Sequence, residues 1–176
     1  MLRGFPALLM IVAVMSAPGC LRRKKAQVET VEEYSKDMAS VVHSADPASA
    51  VQLLKGFHDV EQNAWRWTKS QFSVTLRVPG GARTKGGKLE LKFTLPEVVI
   101  HHTKSTTLSA KMNQWILEPQ SYSQAGEHLY TREVPAEALQ ADAVTVDFSF
   151  DKFLAAGQVE MRELAAIVST VALESK

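Results

Sequence analysis

Three segments of the chain alternate apolar and polar residues with a period of two, and this alternation limits the fold more than any other feature. The segments are Phe72–Val78, Lys88–Leu95 and Val144–Phe150. Successive side chains of a β-strand point to opposite faces, so each segment predicts a strand with one apolar face and one face in water. Strands with one wet face are typical of antiparallel sheets, whereas parallel strands are usually covered on both sides. The sequence therefore predicts a mainly β, antiparallel protein.

Weaker strand patterns occupy most of the remaining sequence after Trp65. They are Glu97–His102, Thr106–Met112, Trp115–Glu118, Glu127–Val134 and Leu164–Leu173. A polar loop between Pro79-Gly80-Gly81 and Gly86-Gly87 predicts a long hairpin that joins the first two clear strands. Pro135–Leu139 predicts one helical turn. About eight short strands without interleaved helices indicate an antiparallel β-sandwich over residues 56–176.

The preceding segment, residues 27–55, carries a helical pattern. Its apolar residues at helical spacing are Val28, Val31, Met38, Val41 and Val42. They predict a first helix over residues 26–45. Asp46-Pro47 then starts a second helix, since Asp is a good N-cap and Pro suits the first helical position. This second helix is predicted over Ala48–Lys55, with Gly56 as its C-terminal cap. One or two N-terminal helices are therefore expected before the sandwich.

Cys20 is the only cysteine of the chain. It follows one basic residue, Arg3, then the apolar stretch Phe5–Ala17 and the small residues Pro18-Gly19. This arrangement resembles a bacterial lipoprotein signal, in which the cysteine is acylated and becomes the first residue of the mature protein. The resemblance implies that residues 1–19 are a signal peptide. The apolar stretch is shorter than the roughly 20 residues that span a bilayer. Ordinary cleavage near Ala17 and an uncleaved anchor are the alternatives.

The residues that follow Cys20 predict a basic tether, residues 20–26. Its charged residues are Arg22, Arg23, Lys24 and Lys25. They either meet anionic lipid headgroups or form a solvated linker. The lipoprotein resemblance implies a palmitate-carrying protein anchored to the cell membrane. Leu21, directly after the cysteine, implies the outer membrane, facing the periplasm or the surface, if the cell has one.

The charge balance argues against a nucleic-acid partner. Arg3 is the only charged residue among residues 1–19, so 19 of the 20 Lys and Arg residues remain against 19 Asp and Glu. Four of the remaining basic residues belong to the tether, which leaves the body of the protein net acidic. Nucleic-acid binding requires a basic face. Once Cys20 carries lipid, no thiol is left for a disulfide or a thiolate metal site.

Three short motifs follow one another at Gly56–Thr68, Leu108–Gln114 and Glu160–Ala166. They read GFHDVEQNAWRWT, LSAKMNQ and EMRELAA. Together they resemble small β-sandwich modules of bacterial exported proteins and of proteins of surface-polysaccharide assembly. Those modules often open with Gly-aromatic-x-x-x-Glu and aromatic-Arg-Trp-Thr, carry a Val-x-Val-Asn-Gly hairpin and end in Asp-x-Arg-x-Leu-Gly-Leu. Here Gln114 replaces the hairpin Gly, and the last motif has a longer acid and lacks the Gly. The resemblance implies a jelly-roll-like, carbohydrate-binding-like domain over about residues 56–175.

Four side chains are candidate ligand-binding residues: Trp65, Arg66, Trp115 and Tyr122. An exposed ring of Trp65 or Trp115 would stack on a sugar face, whereas a buried ring would pack in the core. Arg66 is either a binding group or one half of a structural ion pair with Glu61. These alternatives stay open at the level of the sequence.

The titratable residues show no catalytic or metal-binding pattern. His101 and His102 are adjacent, so on a strand they would point to opposite faces and could not share a metal ion. No Gly-x-Ser-x-Gly elbow is present, and no two acids are marked as a glycosidase pair. We therefore expect a protein that is not an enzyme and that uses no metal and no cofactor.

The expected function is non-catalytic binding of a cell-envelope glycan or partner by a membrane-anchored lipoprotein. The alternative is a structural or assembly lipoprotein that takes no small ligand. Such a protein would dock to a protein partner through its helix or through a sheet edge.

Overall fold

The computed structural model describes residues 38–176. Cys20, the predicted signal peptide, the basic tether and most of the helix predicted over residues 26–45 lie outside these residues. The strands of the described part are β1 (Val41–His43), β2 (Leu53–Glu61), β3 (Trp65–Arg77), β4 (Gly87–Leu95), β5 (Thr106–Met112), β6 (Trp115–Tyr122), β7 (Gly126–Val134), β8 (Ala143–Phe150) and β9 (Ile167–Ser175). Its helices are the α-helices Ala82–Lys85 and Glu97–Thr103 and the 3-10 helices Pro47–Gln52 and Ala136–Leu139. Within residues 38–176, no helix has the length and apolar character that crossing a membrane requires.

All of these strands pair antiparallel, which confirms the predicted class. Their order is β6-β5-β8-β3-β9-β4-β7, with β1 added to β9 and β2 added to β3. The long strand β3 links the two halves of the sheet. Arg66 and Trp67 at its start pair with β9, and Gln71–Arg77 pair with β8. The nine strands therefore form one continuous sheet.

The sheet rolls up until its two edge strands, β6 and β7, meet. Tyr130 Oη donates a hydrogen bond to the Glu118 carbonyl at 2.9 Å, and Arg132 Nε donates to the same carbonyl at 2.7 Å. Arg132 Nη2 donates to the Pro119 carbonyl at 3.3 Å. The Arg132 guanidinium also lies 4.4 Å from the centroid of the Tyr130 ring. Side chains of β7 thus hold the backbone of β6.

The predicted apolar faces form the main core inside this rolled sheet. The buried apolar residues of the three alternating segments are Phe72, Val74, Leu76, Val78, Leu89, Leu91, Phe93, Leu95, Val144, Val146, Phe148 and Phe150. Ser73 and Thr75, predicted to face water, are buried as well. Phe72 stacks on Phe148 in one half, with ring centroids 5.0 Å apart. Phe93 meets Phe150 at 5.6 Å and so joins the two halves. Burial of each large apolar side chain contributes about 1.5–3 kcal/mol, so this core stabilises the rolled shape.

The strand predicted over Glu97–His102 is wrong, because Glu97–Thr103 form an α-helix. Pro96 precedes the helix in an extended conformation. Val99 is buried in a small second cluster that also contains Leu154, Leu164 and the half-buried Trp67. The β-branched residues of this segment favour a strand locally, but packing against this cluster decides the structure. His101 and His102 are consequently both exposed on the helix, with ring centroids 5.4 Å apart.

The long hairpin predicted between β3 and β4 is also wrong. The two strands do not pair, since β4 lies between β7 and β9 and β3 pairs with β2, β8 and β9. The connection contains the short helix Ala82–Lys85, flanked by Gly81 and Gly86 at φ of 86° and 78°. Glycines at both ends of a loop predict that the chain turns, but they do not predict which strands then pair with each other.

The N-terminal helical prediction is corrected where the structure describes it. Val41–His43 form strand β1 on β9, and Pro47–Gln52 form a 3-10 helix rather than an α-helix. Asp46 caps that helix as expected and accepts a hydrogen bond from the Ala48 amide at 2.9 Å. Residues 53–55 already belong to β2. The buried Gln52 side chain binds the carbonyls of Ala39 and Thr75, so this segment is tied to the sheet.

Candidate functional site

The structure does not place the four candidate ligand-binding residues on one surface. Trp65 begins β3 and is half-buried, and Trp115 begins β6 and is half-buried against the main core. Trp115 on β6 is opposite Met112 on β5, and Met112 is opposite Val146 on β8. Val146 is in turn opposite Val74 on β3. Val74 lies nine residues after Trp65 on β3, which is roughly 30 Å along an extended strand. The two indoles therefore occupy different ends of the sheet.

Arg66 is committed to the backbone. Its Nε donates to the Ser44 carbonyl at 2.7 Å and its Nη1 to the His58 carbonyl at 2.9 Å. It does not pair with Glu61, which binds Arg162 at 2.7 Å instead. Arg66 thus fastens β3 to its neighbouring segments through two of the five N–H donors of its guanidinium.

Tyr122 is buried rather than displayed, with 6% of its surface exposed. Its ring stands edge-on to Phe93 at 5.1 Å and lies 4.8 Å from the His128 ring. Its hydroxyl has no hydrogen-bond partner among the described residues. Burial raises the pKa of Tyr122 to about 12, so the phenol stays protonated at neutral pH. Tyr122 therefore packs behind Phe93 and His128, two residues that line a groove, and is not displayed to a ligand.

That groove lies on the outer face of β4, β7 and β9 and has a volume of about 520 Å³. Its lining residues are Trp65, Lys92, Phe93, Thr94, Glu127, His128, Leu129 and Ser169. We call it the Trp65 groove. Of the four candidate residues, only Trp65 contributes to it.

Strand register brings the polar residues of the Trp65 groove together. Lys92 is opposite Leu129, and Thr94 is opposite Glu127, in the β4–β7 ladder. On the other side of β4 the register with β9 shifts between Lys92 and Phe93, which leaves Ser169 as an extra residue. Such a β-bulge redirects a side chain, and the Ser169 side chain is exposed at the groove. Its hydroxyl donates to the Lys92 carbonyl at 3.2 Å.

A tight turn sets the position of Trp65. Gln62 and Asn63 have φ of 51° and 54°, as in a type I′ turn, and Ala64 N–H donates to the Glu61 carbonyl at 3.1 Å. Trp65 is the first residue after this turn and pairs with Glu61. Its indole Nε1 is buried without a hydrogen-bond partner in the described part of the chain. The indole is thus held at the side of the groove by backbone geometry.

His128 forms a fixed part of the groove wall. A ring nitrogen, Nε2, lies 2.9 Å from the Gln124 carbonyl, which can only accept, so Nε2 carries the proton. The ring is tilted against Phe93 at 5.6 Å and against Tyr122 at 4.8 Å. Because His128 is directly opposite Phe93, these contacts place the imidazole on the core side of the sheet.

A second groove, of about 410 Å³, lies on the outer face of β3, β8 and β5. Its lining residues are Lys55, Gln71, Ser109, Ala110, Lys111, Ile116, Asp147, Phe148 and Ser149. Asp147 is central: Lys55 Nζ lies 3.5 Å from it, and the Ser73 hydroxyl donates to it. Ile116 at one end is 80% exposed. No aromatic ring comparable to Trp65 stands beside this groove, since Phe148 is 2% exposed.

A charged cluster elsewhere has a structural role. Arg162 bridges Glu160 at 2.5 Å and Glu61 at 2.7 Å, and these hydrogen bonds raise the pKa of the guanidinium and lower that of Glu160. Burial would raise the pKa of Glu163, but hydrogen bonds from Ser70 outweigh it and lower that pKa. The cluster ties the segment before β9 to β2 and β3. Among residues 38–176, no three His, Cys, Asp or Glu side chains are grouped as a metal site.

Sequence reasoning missed most of the Trp65 groove. Lys92 and Thr94 belong to the predicted wet face of β4, whereas Glu127 and Ser169 lie in strands for which the sequence predicted no wet face. The sequence gives no sign that β4 lies between β7 and β9. Trp65 was found because a large aromatic residue at a strand start is conspicuous by itself.

No protein-family model matches the sequence, and no curated protein does. Two solved structures are similar at low identity. One is dimeric latent PorU from Porphyromonas gingivalis, with 13% identity, a TM-score of 0.41 and coverage of 78% of this chain. This chain spans only 14% of PorU. The other is a CBM4 carbohydrate-binding module, with 10% identity, a TM-score of 0.34 and coverage of 77% of this chain and 85% of the module. At these TM-scores the likeness supports no statement about function.

Proposed function

We propose that this protein is a lipid-anchored lipoprotein of the bacterial envelope whose β domain binds a glycan without transforming it. In this proposal the rolled sheet is a jelly-roll-like β-sandwich module, and the Trp65 groove is its binding site. Cys20 carries the lipid, and residues 22–25 hold the domain near the headgroups.

The observation that carries the proposal is the composition of the Trp65 groove. A half-buried indole stands beside two hydroxyls, one ammonium and one carboxylate, all on rigid strands. Binding sites for small polar molecules combine an apolar surface with a few convergent polar groups. A sugar ring offers the complementary surface, because its C–H groups form an apolar face and its hydroxyls form a polar rim. Trp65 would cover the face while Thr94, Ser169, Lys92 and Glu127 bind the rim.

A titration of the full chain in detergent with a neutral β-glucan, an α-mannan and a polyuronate tests the proposal. We expect at least one polysaccharide to bind. Trp65→Ala should then lower the affinity about tenfold or more, since an aromatic anchor dominates such contacts. Thr94→Val removes one outward hydroxyl and should lower it about threefold.

The matched control is Ile116→Ala, which removes an exposed apolar side chain from the second groove. It should change the affinity by less than about twofold. Circular dichroism and thermal unfolding check that each variant is folded. Absence of binding to all three polysaccharides, or equal affinities of the Trp65→Ala variant and the parent chain, would reject the glycan site.

The lipid anchor is tested separately, by Cys20→Ser. We expect the substituted protein to lose its acyl mass and to leave the membrane fraction. A Cys20→Ser protein that stays in the membrane fraction would exclude acylation as the anchor. Docking to a protein partner instead of a glycan remains the alternative, and it predicts that the polysaccharide titrations stay flat.

A further inference from the structure

Resting on the proposed function, we propose that the Trp65 groove selects neutral, hydroxyl-rich sugars and that Lys92 and Glu127 set this selectivity. The groove would discriminate against sugars that carry a carboxylate or an ammonium group. The assignment follows from the two opposite charges on the groove and from their lack of a partner.

Lys92 and Glu127 are the charged side chains that line the groove. Both are exposed, and neither forms an ion pair with another residue of the described part of the chain. Because Lys92 is opposite Leu129 and Glu127 is opposite Thr94, the two charges are diagonal neighbours in the β4–β7 ladder. Diagonal positions lie about 7–8 Å apart, which is within reach of long side chains, so both charged groups can contact the same ligand.

Further along the same face, Lys88, Glu90 and Glu174 are paired with one another. Lys88 binds Glu90 at 2.8 Å and Glu174 at 3.5 Å, and the hydrogen bond with Glu90 raises the pKa of Lys88. His43 is hydrogen-bonded to the Thr170 hydroxyl at 3.1 Å. The charge offered to a ligand in the groove is therefore one positive and one negative unit.

The two charged groups have opposite hydrogen-bonding capacities. The Lys92 ammonium can only donate and the Glu127 carboxylate can only accept. A sugar hydroxyl does both, so neighbouring hydroxyls can accept from Lys92 and donate to Glu127. A uronic acid would be attracted to Lys92 but repelled by Glu127, and an amino sugar would be attracted to Glu127 but repelled by Lys92. The two effects offset each other, so the cost of removing the charged group of either sugar from water is left uncompensated, and neutral sugars are preferred.

The test measures the affinity of the full chain for the neutral β-glucan, the α-mannan and the polyuronate at low and high salt. We expect a neutral polysaccharide to bind about tenfold more tightly than the polyuronate. Raising the salt from about 0.05 to 0.5 M should change the neutral affinity by less than twofold, since the ligand has no charge to screen.

Two isosteric variants locate the selectivity. Glu127→Gln should raise the affinity for the polyuronate about threefold and lower that for the neutral polysaccharide, because the repulsion and the carboxylate acceptor are both lost. Lys92→Met should lower both affinities. Lys111→Met, in the second groove, is the control and should change neither affinity.

The outcomes separate the two proposals. A polyuronate that binds more tightly than the neutral polysaccharides, or a Glu127→Gln variant with unaltered preference, overturns the selectivity while glycan binding stands. If none of the three polysaccharides binds, both the glycan site and its selectivity are overturned.

Discussion

The Trp65 groove and the second groove lie on outer faces of the same sheet, but their polar groups differ in what they bind. In the second groove, Asp147 is held by Lys55 and by the Ser73 hydroxyl. In the Trp65 groove, Lys92 and Glu127 are exposed and form no ion pair with the described residues.

The difference teaches that one sheet uses its outward polar residues in two ways. Around Asp147 they join β2, β3 and β8 to one another. Around Lys92 they are left available to a ligand. The same residue types thus stabilise the fold at one place and equip a binding surface at the other.

Gly56→Ala, in β2 near the second groove, should have the largest effect on the stability of the fold. An added Cβ would lie 2.0 Å from the Gln71 carbonyl oxygen, and Gly56 has φ of 78°. Both features oppose any side chain, so the free energy of unfolding should fall by more than about 3 kcal/mol. Gly80→Ala is the control, since nothing lies within 4 Å of its added Cβ. Equal urea midpoints for the two variants would contradict the close approach of β2 to β3.

Tyr130→Phe and Tyr122→Phe form a matched pair beside the Trp65 groove. Tyr130 Oη donates to the Glu118 carbonyl at 2.9 Å, so its removal should cost about 1 kcal/mol of unfolding free energy. The Tyr122 hydroxyl is buried without a partner among the described residues, so its removal should be neutral or stabilising by up to about 1 kcal/mol. Chemical denaturation of both variants measures the difference. A larger loss for Tyr122→Phe than for Tyr130→Phe would show that the Tyr122 hydroxyl is bonded after all.

Asp147→Ala and Glu127→Ala compare a paired carboxylate with one that has no ion pair. Loss of Asp147 removes an exposed ion pair with Lys55, which contributes little, and takes the acceptor from the buried Ser73 hydroxyl, so it should cost about 1 kcal/mol. Loss of Glu127 should leave the free energy of unfolding within about 0.3 kcal/mol of the parent value. Reversal of this order would mean that Glu127 holds the sheet together rather than serving a ligand.

Glu163→Gln should make the fold less sensitive to acid. The loss of unfolding free energy on acidification should be smaller in the variant by a few tenths of a kcal/mol. Hydrogen bonds from Ser70 lower the pKa of Glu163 in the folded state, so the unfolded chain takes up its proton first as the pH falls. The stabilisation is therefore present above about pH 4.3, the ordinary Glu value, and is lost as the pH falls through the folded pKa. Unfolding free energies measured between about pH 6 and 3 should fall less steeply for the variant. Parallel curves would exclude Glu163 as a contributor.

Local alternation predicted the strands well where one face is buried. The pattern Thr106–Met112 coincides with β5, and Lys88–Leu95 misses only the first residue of β4. When apolar residues alternate with polar ones, shifting the strand by one residue would expose every apolar side chain, so the strand and its register are strongly determined. The segment Glu97–His102 failed because its apolar residues serve a tertiary cluster around Val99 that no local pattern records.

The candidate site was predictable only in part, because it depends on which strands are neighbours. Trp65 was recognisable in the sequence, whereas Lys92 and Glu127 become neighbours only through the β4–β7 register. Tyr122 attracted attention as an aromatic near a hairpin, yet the rolling of the sheet buries it against Phe93. Long-range pairing of this kind is set by the whole core and not by the residues adjacent in the sequence.

The closure of the sheet by Arg132 has a consequence for how copies of the protein meet. A free strand edge offers unpaired carbonyl and amide groups to which a strand of another molecule can add, and long open edges lead to fibres. The carbonyls of Glu118 and Pro119 are already occupied by β7 side chains, and Pro119 has no N–H to give. This stretch of β6 therefore resists the addition of a strand from another molecule.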